Sequence, residues 1–316
     1  MYKEFLDKLN QYKKVSIYRH QRPDGDAAFS QVGLKTFIET NFLDTQVKLC
    51  GFESYDRLDT VEEVSDDFIK DSLAIILDVS SPDRIDDLRY QLAKEVVVID
   101  HHPYMLDGAD LTINNSKASA TCELITDIIY SETFKDFKKS IDTCKYLYSG
   151  ILTDSMGFTT SNTTSNTLYL ASLLIKDGDL DVSKLNEDVF SFPLEDYEKI
   201  TKLRSKLIIE GSLGYCILDT NDLEEIGMTY DQAKTHVSEF SKIRELNIWA
   251  IFAKNPETGL YDGSVRSRRP FIINRICDNY NGGGHNNACG VKKLDNNLIR
   301  SLLENLSKMI DEKANL

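Results

Sequence analysis

Four short apolar stretches in the first half of the chain each run into aspartate or histidine, and this pattern narrows the fold more than any other feature. Val15-Ser16-Ile17-Tyr18 leads to His20, Asp24 and Asp26, and Leu73-Ala74-Ile75-Ile76-Leu77 leads to Asp78. Val96-Val97-Val98-Ile99 leads to Asp100-His101-His102, and Tyr148-Ser149-Gly150-Ile151-Leu152 leads to Asp154. Short apolar runs alternating with segments of helical spacing are what buried parallel strands in β/α units require. In an open sheet of that kind, side chains from distant segments converge beyond the carboxyl ends of the strands. One aspartate in such a place is ordinary turn or cap chemistry. Four clusters together point to one shared site.

Several carboxylates can be buried side by side only if cations neutralise them, because like charges in a low-dielectric crevice raise one another's pKa or force the site apart. The candidates offer carboxylate oxygens with a minority of imidazoles and no thiolate. That donor set suits two divalent ions of the harder kind, manganese first because it tolerates imidazole best, with magnesium or cobalt as substitutes.

Strands are expected at residues 14–19, 46–52, 72–79 and 95–100, a helix over Ala27–Asn41, and a further helix beginning in Ser119-Ala120-Thr121, with Thr121 read first as its cap and second as a contact to the metal shell. A helical pattern over Thr164–Lys176 breaks at Asp177-Gly178-Asp179, and residues 195–209 read as another helix. Strands follow at 215–218 and 247–253, then a hairpin turn in Asn255-Pro256-Glu257-Thr258-Gly259. At 316 residues the chain exceeds the usual single domain. The expected class is α/β: a doubly wound, mainly parallel sheet in a metal-binding catalytic domain (1–180), a linker with a connecting helix (181–209), and a smaller α/β substrate-binding domain (210–316), with a cleft between the two.

In that last segment Ser264, Arg266, Ser267, Arg268 and Arg269 gather guanidinium and hydroxyl donors in an otherwise acidic chain. Arginine's planar fork grips phosphate through two parallel bonds, so the segment reads as an anion-binding patch. For Arg268 and Arg269 the competing reading is a basic strand edge that blocks aggregation. Asn281-Gly282-Gly283-Gly284-His285 allows close approach of backbone N–H groups to a ligand, and His285 adds a further donor.

Composition removes several classes. A net charge of −14 argues against a long nonspecific groove for duplex or extended single strands, which are held mainly by phosphate neutralisation. The six cysteines are widely separated and form no close metal-binding pair, so reduced thiols are expected. No apolar run is long enough to cross a bilayer, and the opening Met1-Tyr2-Lys3-Glu4 lacks a secretory pattern, so a cytoplasmic protein without membrane partners is expected, with a homodimer compatible with the sequence.

The chain resembles the DHH-family phosphoesterases. Arg19-His20-Gln21-Arg22-Pro23-Asp24-Gly25-Asp26-Ala27-Ala28 is similar to the first family motif, Leu77-Asp78 to the second, Asp100-His101-His102 to the naming triplet, and Gly150-Ile151-Leu152-Thr153-Asp154-Ser155 to the fourth. Gly263-Ser264-Val265-Arg266-Ser267 and Gly282-Gly283-Gly284-His285 resemble the DHH-associated substrate domain. The resemblance implies that His20, Asp24 and Asp78 hold one metal and that Asp26, Asp78, His101 and Asp154 hold a second, with Asp78 bridging. It implies that His102 faces the scissile phosphate and that Asp100 orients the histidines. Ser264, Arg266, Ser267, Gly283, Gly284 and His285 would bind substrate. Gln21-Arg22 departs from the small polar residue of many relatives, and Ser155-Met156 from a more common threonine and glycine. Arg22 is read either as adjusting substrate fit near the metals or as an exposed loop charge.

Within the family the expected activity is that of the nanoRNase and 3′,5′-bisphosphate nucleotide (pAp) phosphatase branch, releasing 5′-mononucleotides from short RNA and AMP from pAp. Hydrolysis of linear or cyclic dinucleotides such as pApA or cyclic di-AMP is the alternative reading. The serine-arginine-lysine-lysine signature of type II pyrophosphatases is absent from the sequence. A nucleotide-binding sensor that does not turn its ligand over is the non-enzyme alternative.

Overall fold

A computed structural model describes residues 1–55, 57–58, 60–79, 81–103 and 107–314, with the side chains of 313 and 314 left out of the description. The chain forms two compact units, Met1–Ser191 and Phe192–Leu316, dividing inside the stretch read from sequence as a linker.

The first unit runs α1 (Tyr2–Gln11), β1 (Lys14–Tyr18), α2 (Gly25–Asn41), β2 (Gln46–Leu49), α3 (Asp66–Lys70), β3 (Leu73–Leu77), β4 (Glu95–Asp100), β5 (Leu111–Asn114), α4 (Thr121–Tyr130), α5 (Ile141–Asp154), α6 (Ser165–Gly178) and α7 (Val182–Phe190). Its five strands pair in the order β2-β1-β3-β4-β5, all parallel. Parallel pairing explains the unbroken apolar runs, since both faces of such a sheet are covered. Val15, Ile17, Ile75, Val97 and Ile99 pack on one face with α1, α2, α4 and α5. Tyr18, Ala74, Ile76 and Val98 pack on the other with Ile69 of α3 and with Ile85. The α/β class with a mainly parallel sheet is therefore present.

In this strand order β1 has β2 on one side and β3 on the other, so successive crossovers leave β1 in opposite directions. Such a reversal opens a crevice at the carboxyl ends of the two central strands. His20, Asp24 and Asp26 follow β1, and Asp78 follows β3, at that position.

Three readings differ from the observed elements. No strand is expected over Leu111–Asn114, a four-residue edge strand too short to show a period. Helix α2 begins at Gly25 rather than Ala27, because the Asp24 carboxylate accepts from the Ala27 amide at 3.1 Å and caps the helix. Asp154 ends a helix and not a strand.

The second unit contains α8 (Leu194–Ser205), β6 (Ile208–Glu210), β7 (Leu213–Leu218), α9 (Thr220–Ile226), α10 (Tyr230–Thr235), β8 (Ile248–Lys254), β9 (Tyr261–Ser267), α11 (Asn274–Cys277), β10 (Gly283–His285), β11 (Ala288–Leu294) and α12 (Asn296–Ala314). Its sheet has the order β10-β11-β9-β8-β7-β6, with β7 and β8 parallel and the other pairs antiparallel. Ile299, Leu302 and Leu306 of α12 cover one face, and Leu203, Leu223 and Phe240 lie in the cluster on the other. All six cysteines are buried free thiols. Among the described residues no helix is long and apolar enough to cross a membrane.

Candidate metal centre

Each histidine near the ends of β1 and β4 has its Nδ1 occupied by an oxygen that can only accept, which makes Nδ1 the N–H nitrogen and leaves Nε2 as the available lone pair. His20 Nδ1 lies 2.7 Å from the Gln21 carbonyl, and its Nε2 faces Asp24 Oδ2 and Asp78 Oδ2, both at 3.7 Å. His101 Nδ1 lies 3.3 Å from the Ala118 carbonyl, and its Nε2 faces Asp78 Oδ1 at 3.4 Å and Asp154 Oδ2 at 3.5 Å. His102 Nδ1 lies 2.8 Å from Asp100 Oδ1, which also accepts from the His102 amide at 3.1 Å. The structure thus brings His20, Asp24, Asp26, Asp78, His101, His102 and Asp154 together, with Asp100 behind His102.

Three groups have donor atoms all within 4.8 Å of one another: His20-Asp24-Asp78, Asp26-His101-Asp154 and Asp78-His101-His102. Asp78 and His101 each serve two of them. Asp78 adopts a left-handed backbone (φ 57°), which aspartate tolerates better than most residues and which turns its side chain out of the strand.

The electrostatics fit cations. Burial drives the Asp26 carboxyl well above the usual carboxylate range, and the nearby Asp78 and Asp154 push it further. Asp154 is pushed up to about 6 by burial, with His101 offsetting only part of the effect. Burial works to keep His101 neutral, yet its hydrogen bond to Asp78 and the charges of Asp26, Asp78 and Asp154 prevail and push it up to about 10. Carboxylates that drive one another toward protonation, beside an imidazole driven toward imidazolium, form a cluster short of positive charge. Bound metal cations would supply that charge.

Asn114 and Glu123, not singled out from the sequence, hold this cluster in shape together with Thr121 and Asp26. Asn114, at the end of β5, donates through Nδ2 to the carbonyls of Asp100 and His102, both at 2.8 Å, and so clamps the main chain on either side of His101. Glu123 accepts from the Ser119 amide and hydroxyl, each at 2.8 Å, and from Thr167 Oγ1 at 2.9 Å, fixing the loop that presents the Ala118 carbonyl. Thr121 does not cap α4: the cap residue is Ala120, and the Thr121 hydroxyl donates to Asp78 Oδ1 at 3.1 Å. The capping role falls to Asp26, whose carboxylate accepts from the Thr121 and Cys122 amides at 2.6 and 2.9 Å. A carboxylate at a helix N-terminus is stabilised by free amides and the helix dipole.

The loop from His20 to Asp24 is braced along its length. Buried Arg19 pairs with Asp86 at 2.7 Å and donates to the Glu53 carbonyl. The Gln21 amide donates to the Arg84 carbonyl at 2.7 Å, and the Arg22 amide to Glu53 Oε2 at 2.5 Å. Arg22 sits at φ 50°, a left-handed conformation that costs a residue with a Cβ roughly 1–2 kcal/mol.

In the second unit Ser264 and Arg266 share the half-exposed face of β9, while Ser267 is buried on the other. The Ser267 hydroxyl donates to the Phe271 carbonyl at 2.7 Å and accepts from Asn287 Nδ2 at 2.9 Å, so the structure separates it from the other two. Arg266 aligns with Ala288 and Ser264 with Gly290 across β11, and these align with His285 and Gly283 of β10. Arg266 and His285 therefore flank a small residue on one face. Arg268 does not join this patch: its guanidinium donates to the carbonyls of Ser241, Leu246 and Ile243 and lies over Trp249. Gly284 (φ 138°) is required by the fold, since a Cβ there would lie 2.4 Å from the Ala288 carbonyl oxygen. A Cβ on Gly283 would meet nothing within 4 Å.

Residues 14–151 match the DHH family N-terminal domain, and residues 213–314 match the DHHA1 domain. A Streptococcus mutans protein named as a probable bifunctional oligoribonuclease and PAP phosphatase NrnA is 34% identical to this chain, covering 97% of it and 99% of the relative. The Bacillus subtilis bifunctional oligoribonuclease and PAP phosphatase NrnA is 27% identical over 91% of each chain. Among solved structures, an exopolyphosphatase-related protein from Bacteroides fragilis superposes with a TM-score of 0.83 at 22% identity, covering 98% of this chain and 97% of that one, a likeness in fold.

Proposed function

Because this chain belongs to the DHH family of metal-dependent phosphoesterases, we propose that it hydrolyses very short oligoribonucleotides to 5′-mononucleotides and pAp to AMP, using two manganese ions. The observation that carries this reading is the position of Asp78, which belongs to two donor groups and turns Oδ2 to His20 and Oδ1 to His101, since a carboxylate that can place one oxygen on each of two ions suits paired metals. His20, Asp24 and Asp78 would hold one ion, and Asp26, Asp78, His101 and Asp154 the other. When bound, such ions neutralise phosphoryl oxygens and lower the pKa of an attacking water.

The chain's own residues supply the rest. Water adds to phosphorus as the bond from phosphorus to the 3′-oxygen breaks, and the leaving oxygen takes a proton to become the nucleoside hydroxyl. With Nδ1–H donating to Asp100, His102 directs Nε2 toward a phosphoryl oxygen, to which it donates when the ring carries its second proton. Asp100 holds the ring at that angle and balances the charge of the imidazolium, as a positioning group. Arg266, with Ser264, Gly283 and His285 on the same face, takes a phosphate other than the one being cleaved, while Ser267 and Gly284 shape the loop that carries them. A substrate panel in manganese containing pAp, pApA, cyclic di-AMP, pyrophosphate and RNA of graded length tests the reading. Preferential turnover of two- to five-nucleotide RNA and pAp supports it, and preferential turnover of cyclic di-AMP replaces it. Nucleotide binding without turnover in any metal identifies a sensor instead.

Two substitutions probe the second unit. Arg266→Ala is expected to raise KM for pApA and lower kcat/KM about tenfold or more, as loss of a charge-assisted contact worth roughly 1.5–3 kcal/mol requires, with metal content unchanged. Arg266→Lys recovers part of the loss because it keeps the charge without the fork. Gly283→Ala has room and should leave the melting temperature where it is. If substrate lies against that backbone, the added methyl raises KM, and steady-state kinetics beside a thermal melt separates the two effects.

A further inference from the structure

We infer that Arg22 is a catalytic residue of this centre, its guanidinium donating to the non-bridging oxygens of the phosphoryl group under attack. The assignment rests on the phosphoesterase reading above and extends it to a residue whose place in the fold is otherwise hard to explain.

Arg22 stands between His20 and Asp24, two of the three donors in one candidate metal group. Its backbone is left-handed, a conformation glycine or asparagine would adopt at less cost, so the turn itself does not call for arginine. The conformation is held by its surroundings: Pro23 follows, the Arg22 amide is tied to Glu53, and Glu53 is tied through its carbonyl to Arg19. A strained backbone fixed this firmly pre-organises whatever the side chain does.

The side chain, by contrast, is uncommitted. Arg19 is paired with Asp86, Arg57 donates to the carbonyls of Asp188 and Ser191, and Arg89 is paired with Asp87 and Asp66. Among the described residues the Arg22 guanidinium meets no acceptor, although acidic residues outnumber basic ones by 51 to 37 in this chain. Five N–H donors left free on a braced loop beside carboxylates and imidazoles fit a tetrahedral anion brought to that point. A phosphoryl group spreading charge over its oxygens is the chemistry a planar fork recognises. A solvated loop charge is the competing account, and it predicts that the side chain can be removed without consequence.

Arg22→Gly separates the two, because glycine is more comfortable at this φ and the fold should be kept. In manganese, with a diribonucleotide and with pAp, kcat is expected to fall about 10²-fold or more while metal content and melting temperature hold. Arg22→Lys should fall between the variant and the wild type, and added guanidinium ion should restore part of the Arg22→Gly activity. Retention of kcat within about threefold, or loss of manganese from a folded Arg22→Gly protein, overturns the assignment. Orthophosphate binding to the manganese-loaded protein gives a readout independent of turnover, expected to weaken about tenfold in Arg22→Gly. If the wild type hydrolyses neither substrate, the functional reading fails by itself, and equal orthophosphate affinity in the two proteins then overturns the role of Arg22 separately.

Discussion

Asp78→Asn is expected to yield a folded protein that retains neither metal and loses activity by about 10³-fold or more, the scale of several kcal/mol of metal-supplied charge stabilisation at about 1.36 kcal/mol per decade. Asparagine is the informative replacement. It keeps the size of aspartate and tolerates the left-handed backbone at this position, whereas alanine would add strain. The oxygen of the introduced amide would still accept from the Thr121 hydroxyl, so the end of β3 keeps its support. The measurements are metal content after gel filtration and thermal melts with and without manganese. A ligand present at about 100 times its dissociation constant stabilises by about 2.7 kcal/mol, and the variant should show none of that gain. A folded variant with two bound ions and full activity would remove Asp78 from the bridging position.

His101 and His102 are adjacent in sequence but should fail in different ways. His101→Ala removes an Nε2 that faces Asp78 and Asp154, and the protein should lose an ion together with most of its activity. His102→Ala leaves those contacts alone. It should keep its metal and lose about 10²-fold in kcat, the usual effect of removing one donor to a developing oxyanion. His102 also lies 3.5 Å from Asp78 Oδ1, so the same measurements discriminate a direct ligand from a phosphate donor. Loss of metal from His102→Ala and retention in His101→Ala would exchange the two roles.

Much of this centre is legible in the sequence because its side chains sit at strand ends, where an apolar run stops and the next residue must face solvent or a ligand. That logic finds Asp78 and Asp100-His101-His102 directly, and it places the four main strands of the first sheet. It does not find Asn114, because the short edge strand that carries it shows no period. It does not find Glu123 or Asp86 either, whose work is to accept hydrogen bonds from neighbouring loops. Preferring a cap over a metal-shell contact for Thr121 follows the local rule that a hydroxyl at a helix start bonds the helix's own amides. Asp26, 95 residues earlier, occupies those amides instead and frees the hydroxyl for Asp78. In the second unit, alternation along β9 distinguishes the faces of Arg266 and Ser267 once the register is known, but a run of donors in sequence does not tell which are spent on the protein's own carbonyls, as Arg268 is.

The Asp26 cap also bears on the order in which the chain assembles. Helix α4 is ten residues long, short of what holds together alone in water, and its first amides are satisfied by a side chain from α2. Its start is therefore consolidated only after α2 has docked on the sheet. The last acidic partner, Asp154, lies at the end of α5, which packs against both helices. A ribosome must release residue 154 before the centre can close, and capture of metal by the nascent polypeptide would follow the docking of α2, α4 and α5 rather than precede it.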